Sequence, residues 1–190
     1  MRPFPPRPHV LGIDDGPFEK FAPGAQAPIV GVTMEGADLV EAIALTQFPV
    51  DGEGVTAFLG DWIESLRVRP ALHAVLFGGI TLAGLALLEP EALSLRLGLP
   101  VLVLNRRPPR DDGLRDALLA AGLAPRIALL ERASAPVPFD DLHVGISGLG
   151  REEAFALLER TRRKGSLPEA LRVAHLIARA LATGESRGRA

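Results

Sequence analysis

The stretch HVLGIDDGPFEKFAPGAQAPIVGVTMEGADLVEAIALTQF, residues 9–48, decides the fold. His9 to Ile13 reads as a short buried strand running into Asp14-Asp15-Gly16-Pro17, a turn signal that leaves two carboxylates at a strand end. Pro28 to Met34 and Asp38 to Phe48 are two further apolar runs, joined by Glu35-Gly36-Ala37 in the manner of a hairpin. The first three strands are therefore expected to be antiparallel neighbours. Beyond them the period changes. Val55, Phe58, Leu59, Trp62, Ile63 and Leu66 follow helical spacing between Gly54 and Leu66, and Leu72 to Phe77 returns to a strand.

Strand and helix then alternate. Pro90 to Leu97 is expected as a short helix, Pro100 to Leu104 as a central strand, Gly113 to Ala121 as a helix and Arg126 to Leu130 as another strand. His143 to Ile146 reads as a late strand, Arg151 to Arg163 as an amphipathic helix, and a last helix begins near Pro168. Three antiparallel strands followed by right-handed β–α crossovers fit an α/β fold: a mixed sheet of five strands or slightly more, with helices on both faces. Gly78, Gly79 and Gly84 follow a strand, but neither the G-x-G-x-x-G spacing nor a Walker lysine accompanies them, which argues against dinucleotide and P-loop sites.

The chain has 190 residues, 47% hydrophobic and 23% charged, which suits one domain over 1–190 with a flexible lead-in at 1–8 and a tail at 184–190. It contains no cysteine, so disulfides, thiol catalysis and thiolate metal sites are excluded. Carboxylates and four histidines remain as strong ligands. No apolar run is long enough for a bilayer and no signal-peptide pattern opens the chain, so a cytoplasmic protein without a membrane partner is expected. Net charge is −2, yet residues 151–190 hold nine basic against five acidic side chains. That imbalance permits nucleic acid to dock at one end without demanding it.

The basic end is GSLPEALRVAHLIARALATGESRGRA, residues 165–190. Pro168 suits a first helical turn, and Leu171, Ala174, Ala178 and Leu181 recur as a core-facing stripe. Arg172, His175 and Arg179 form a neighbouring stripe in which two guanidiniums flank an imidazole. The arrangement suits a phosphate; it equally suits a solvated basic face with His175 buried against a carbonyl at the core edge. Arg106-Arg107-Pro108-Pro109-Arg110 follows the central strand at the end where α/β sheets bind ligands, and reads otherwise as a solvated loop. Asp14-Asp15, taken by itself, reads as a pair of turn-makers that hydrogen-bond the following backbone. His9, His73 and His143 show no ligand spacing and read as structural.

Three segments, LGIDDGPF at 11–18, FGGITLAG at 77–84 and LPEALRVAHLIA with GESRGR at the end, resemble the endonuclease V-like proteins known as domain-of-unknown-function family ninety-nine. The similarity runs over nearly the whole chain. It implies a ribonuclease H-like fold and nucleic acid, DNA or RNA, as partner. It also implies a divalent metal, Mg²⁺ or Mn²⁺, held by Asp14. The reading built on it and on the helix stripe has Asp15 assisting, His175 beside the scissile phosphate, and Arg172, Arg179 and Arg106 as contacts. Two departures accompany it: where the family's usual pattern has acids near the start of the first helix and after the fourth strand, this chain has Ala57 and Gly78. Asp15, Asp51, Glu53 and Glu89 are the carboxylates that could substitute. Three readings follow: metal-dependent phosphodiester hydrolysis, a non-catalytic nucleic-acid-binding relative, and a nucleotide-binding protein.

Overall fold

The computed structural model describes residues 4–19, 22, 24–106 and 111–187. The antiparallel half comes first, as expected: β1 (His9–Asp15), β2 (Gln26–Glu35) and β3 (Leu39–Pro49) pair in sequence order, with His9 opposite Glu35 and Gln26 opposite Pro49. Gly36, at φ 61°, makes the tight β2–β3 turn. The helix α1 (Val55–Ser65) leads to β4 (Ala74–Phe77), which lies parallel to β1. A small hairpin, β5 (Thr81–Leu82) and β6 (Ala86–Leu87), and α2 (Pro90–Leu97) precede β7 (Val101–Asn105), parallel to β4. After α3 (Asp111–Ala120) and α4 (Ile127–Arg132), β8 (Val137–Phe139) and β9 (Leu142–Ser147) return antiparallel. Two helices, α5 (Arg151–Thr161) and α6 (Glu169–Thr183), follow. The sheet has seven strands in the order β3-β2-β1-β4-β7-β9-β8.

Two expectations are corrected. Arg126–Leu130 is not a strand; Ala124–Arg126 forms a 3-10 turn that runs into α4. Ile127-Ala-Leu-Leu130 is apolar without a period, so spacing cannot separate strand from helix there. Pro125 sits in the first turn, and the buried Arg126 guanidinium donates to the carbonyls of Leu85, Asp51 and Gly52, which holds the segment in its helical path. Leu181 is not in the core but 52% exposed. Ala178 already packs beside Gly16, just past the end of β1, so a residue one turn further on lies beyond that strand.

Alternation along the strands sorts the core into two layers. Leu11, Ile13, Ile29, Val75, Phe77, Val101 and Val103 pack with Leu59 and Ile63 of α1 and Leu93 of α2. Val10, Val30, Val32, Leu76, Leu102 and Leu104 pack on the other face with Leu157 and Leu158 of α5 and Ala170, Leu171 and Ala174 of α6. No helix among the described residues is long and apolar enough to cross a membrane.

Gly12 and Gly16 lie on the second face, and they set how closely α6 approaches. A methyl group added at Gly12 would meet the backbone of Ala170 and Leu171 at 2.5 Å, and one at Gly16 the Ala178 carbonyl oxygen at 2.5 Å. Helix and strand thus touch backbone to backbone. Neither obstacle is a side chain that can rotate away, so Gly12→Ala is expected to destabilise the fold by about 1–3 kcal/mol or more, as overpacking does. Gly145→Ala, whose methyl would meet Val103 at an ordinary 3.5 Å, should leave the thermal melting curve almost unmoved.

Candidate active site

Asp14 follows Gly12 on the face of β1 that α6 covers. Its Oδ2 lies 2.7 Å from His175 Nδ1, and its Oδ1 accepts the backbone N–H of Asp15 at 3.0 Å. One carboxylate therefore both braces the end of the strand and holds an imidazole from a helix 161 residues later. With Nδ1–H donating to Asp14, His175 keeps Nε2 for proton exchange. Hydrogen bonding to Asp14 raises the His175 pKa above its ordinary value, against opposing effects of burial and of the Arg179 and Arg106 charges. The expected alternative of a buried His175 does not hold, since 53% of its side chain is exposed.

Asp15 points to the opposite face, where its Oδ2 accepts the Ala83 N–H at 2.8 Å. Burial, followed by the neighbouring Asp14 charge, pushes its pKa up to about 6. Asp15 thereby ties the tip of the β5–β6 hairpin to the strand end, with Ala83 in the left-handed region at φ 49°. Between that hairpin, the ends of β7 and β9, and α3 and α4 lies a cleft of about 760 Å³. Asp14 and Asp15 form one wall, with Gly78, Gly79 and Asn105 beside them.

The arginines separate. Arg179 and Arg106 are exposed and near enough to His175 for their charges to act on it. Arg172 instead gives Nε and Nη2 to one oxygen of Glu169, at 2.8 and 2.6 Å. Glu169 is buried and also accepts the Lys164 N–H. Arg107 and Arg110 lie outside the described residues.

Of the substitute carboxylates, Asp51 accepts the Leu85 N–H, Glu89 pairs with Arg132, Glu53 is exposed, and none of the three lines the cleft. Ala57 is exposed on α1 and is also absent from the cleft wall. Gly78 is adjacent to the pair: a Cβ there would stand 3.6 Å from Asp14 Oδ1. Sequence reasoning missed Asn105 and the β5–β6 hairpin. The former ends a strand in register beyond Phe77, and the latter was hidden because two-residue strands carry no readable alternation.

The sequence pattern of the family described as "Endonuclease dU" matches residues 6–182. A UPF0215 protein of Thermococcus kodakarensis is 35% identical over 98% of both chains. An Archaeoglobus fulgidus protein of unknown function, known as a crystal structure, superposes with a TM-score of 0.84 at 27% identity, covering 92% of this chain and 98% of that one. Ciona intestinalis endonuclease V, crystallised with a 24mer DNA containing an inosine followed by a ribo-adenosine, gives 0.56 at 11% identity over 88% and 83% of the two chains. At that identity the likeness concerns the fold, which is the ribonuclease H-like plan expected from the sequence.

Two outcomes follow from the side-chain environments. Because the folded pKa of Asp15 lies above the unfolded 3.8, the contribution of this group to stability is fully present below that value and is lost as pH rises through about 6. Asp15→Asn keeps an oxygen for Ala83 and removes the buried charge, so melting at pH 7.5 should rise by the equivalent of about 1–3 kcal/mol, a gain that vanishes towards pH 4. Arg172→Ala strands the buried Glu169 and should cost roughly 1–3 kcal/mol, whereas Arg179→Ala should stay within about 0.5 kcal/mol in the same denaturation experiment.

Proposed function

The chain belongs to the endonuclease dU family, and on that premise we propose that it hydrolyses phosphodiester bonds of nucleic acid at the Asp14–His175 pair. The observation that carries the reading is the 2.7 Å contact between a carboxylate at the end of a central strand and a half-exposed imidazole of raised pKa. An imidazolium held by Asp14 can give its Nε2 proton to the leaving oxygen as the P–O bond breaks, with water supplying the new bond to phosphorus. Asp14 orients the ring and offsets its charge. Arg179 and Arg106 attract the phosphate backbone to the same rim.

The donors present fit a hard cation bound together with its substrate. Asp14 has a free lone pair on each oxygen, whereas Asp15 has one oxygen committed to Ala83 and a raised pKa. Mg²⁺ is commonly held by one or two carboxylates with substrate phosphates completing its shell, so Asp14 would hold Mg²⁺ or Mn²⁺, with Asp15, turned to the other face of the strand but bordering the same cleft, assisting through its charge rather than as a matched ligand. Bound there, the cation supplies charge neutralisation at the phosphate. The family description carries deoxyuridine and the Ciona complex inosine, which makes DNA bearing either base the substrate to try first.

The absence of acids at Ala57 and Gly78 favours one rival, a non-catalytic nucleic-acid-binding relative. Cleavage of labelled DNA containing deoxyuridine or inosine, with millimolar Mg²⁺ or Mn²⁺, separates the two. Activity is expected in the parent, a loss of about 10²-fold in turnover for His175→Ala with affinity largely kept, and a salt slope flatter by about one for Arg179→Ala. Binding without any cleavage would establish the rival. His175→Ala cleaving at the parent rate would remove His175 from the chemistry.

A further inference from the structure

We propose a second metal site, for a divalent transition ion of the zinc class, built by His9, Glu35 and Glu41 at the end of the sheet remote from Asp14. It does not rest on the nuclease reading. One ligand-capable atom from each of these residues lies within 4.8 Å of the others, the one such triad among the described residues. The set mixes an imidazole nitrogen with two carboxylate oxygens, a combination that zinc accepts. Ligands on a tetrahedral ion stand about 3.4 Å apart, so closing this triad takes small side-chain movements. His9 Nε2 is already 3.1 Å from Glu41 Oε2.

Three strands converge to make the triad. His9 opens β1 and pairs in register with Glu35, the last residue of β2. Glu41 is brought in by a bulge: Thr33 pairs with Ala42 and Met34 with Val40, which leaves Glu41 as the extra residue on β3. Bulges of this kind re-aim a side chain, and this one turns a carboxylate towards the imidazole. The ring is fixed by its other neighbours. It stacks on His73 with centroids 5.6 Å apart, its backbone N–H donates to His73 Nδ1, and its own Nδ1 is buried without a partner, so Nε2 is the nitrogen it offers.

Arg7 binds Glu35 through one oxygen at 3.1 Å and leaves the other for a cation. With neutral imidazole the group carries two negative charges against one positive, which a divalent ion suits. Three protein ligands leave a fourth position open. His9 and Asp14 are five residues apart on β1, about 16 Å at the rise of a strand, so one ion cannot serve both places. A metal here would clamp β1, β2 and β3 together.

The test is calorimetric titration of the EDTA-treated full chain with ZnCl₂, beside thermal melting with and without the metal. One equivalent is expected to bind and to raise the melting temperature through linkage. Glu41→Gln should weaken Zn²⁺ binding at least about tenfold, and Asp14→Asn should leave it unchanged. Glu35→Gln provides a second variant should Glu41→Gln fail to fold, as judged from its metal-free melting curve. Zn²⁺ affinity unaltered by both glutamate variants, no binding at roughly 100 µM metal, or a loss of binding that follows Asp14→Asn instead would each overturn the site.

Discussion

The backbone contact between β1 and α6 is the constraint on which the rest depends. Ala170 sits over Gly12 and Ala178 over Gly16. Eight residues of helix span about 12 Å and four residues of strand about 13 Å, so the two elements advance together and stay in step. Asp14 lies midway along the strand segment, and the helix residue that comes level with it is found near the middle of the helix segment, where His175 stands. The 2.7 Å pair is thus a result of matched rises and of two missing side chains. A larger residue at either glycine would lift α6 by more than a hydrogen bond can stretch.

The strand pleat then divides two adjacent carboxylates into different chemistries. Asp14 faces the helix, with a proton-carrying partner and access to water. Asp15 faces the hairpin, half-buried, with its carboxyl raised to about 6. The loops around Asp15 are tied in turn by Arg126, whose guanidinium joins the β3–α1 turn to the β5–β6 hairpin through three carbonyls. An arginine in that position carries no functional signal in the sequence. It braces these loops without lining the cleft.

Much of this was legible in the residues. Alternation and the Glu35-Gly36-Ala37 turn gave the antiparallel half, the alternation of strand and helix after Gly54 gave the plan of the remainder, and the three-segment resemblance supplied the ribonuclease H-like family of that plan. The juxtaposition of Asp14 with the last helix followed from the same source, because a helix stripe of Arg172, His175 and Arg179 has no direction until a partner is known. What escaped had physical reasons. Ile127–Leu130 lacks a period, and Arg172 was read as a phosphate ligand although Glu169 lies three residues away on the same helical face. That pairing is common at such spacing, but nothing in the sequence marks Glu169 as buried. His9 does stack on His73 as a structural residue would; its companions in the proposed metal site are distant along the chain, and one of them is delivered by a bulge that no spacing rule anticipates.

The glycine at 78 bears on how charge accumulates at the candidate site. A Cβ there would meet Leu171 and Asp14 at 3.5 and 3.6 Å, ordinary contacts, so sterics do not exclude an acid. Electrostatics weigh differently. Asp15 already has a raised pKa from burial and from Asp14, and a third carboxylate within a few ångströms would raise the protonation of all three. With glycine at 78 the strand ends carry less negative charge than a third carboxylate would bring, Asp15 being ionised only as pH rises through about 6. On the proposed nuclease reading, the exposed Arg106 and Arg179 would draw a phosphate backbone against a weaker opposing field than three carboxylates would set up. Attraction of the anion would come first on that reading, and the charge that completes a cation's shell would arrive with it.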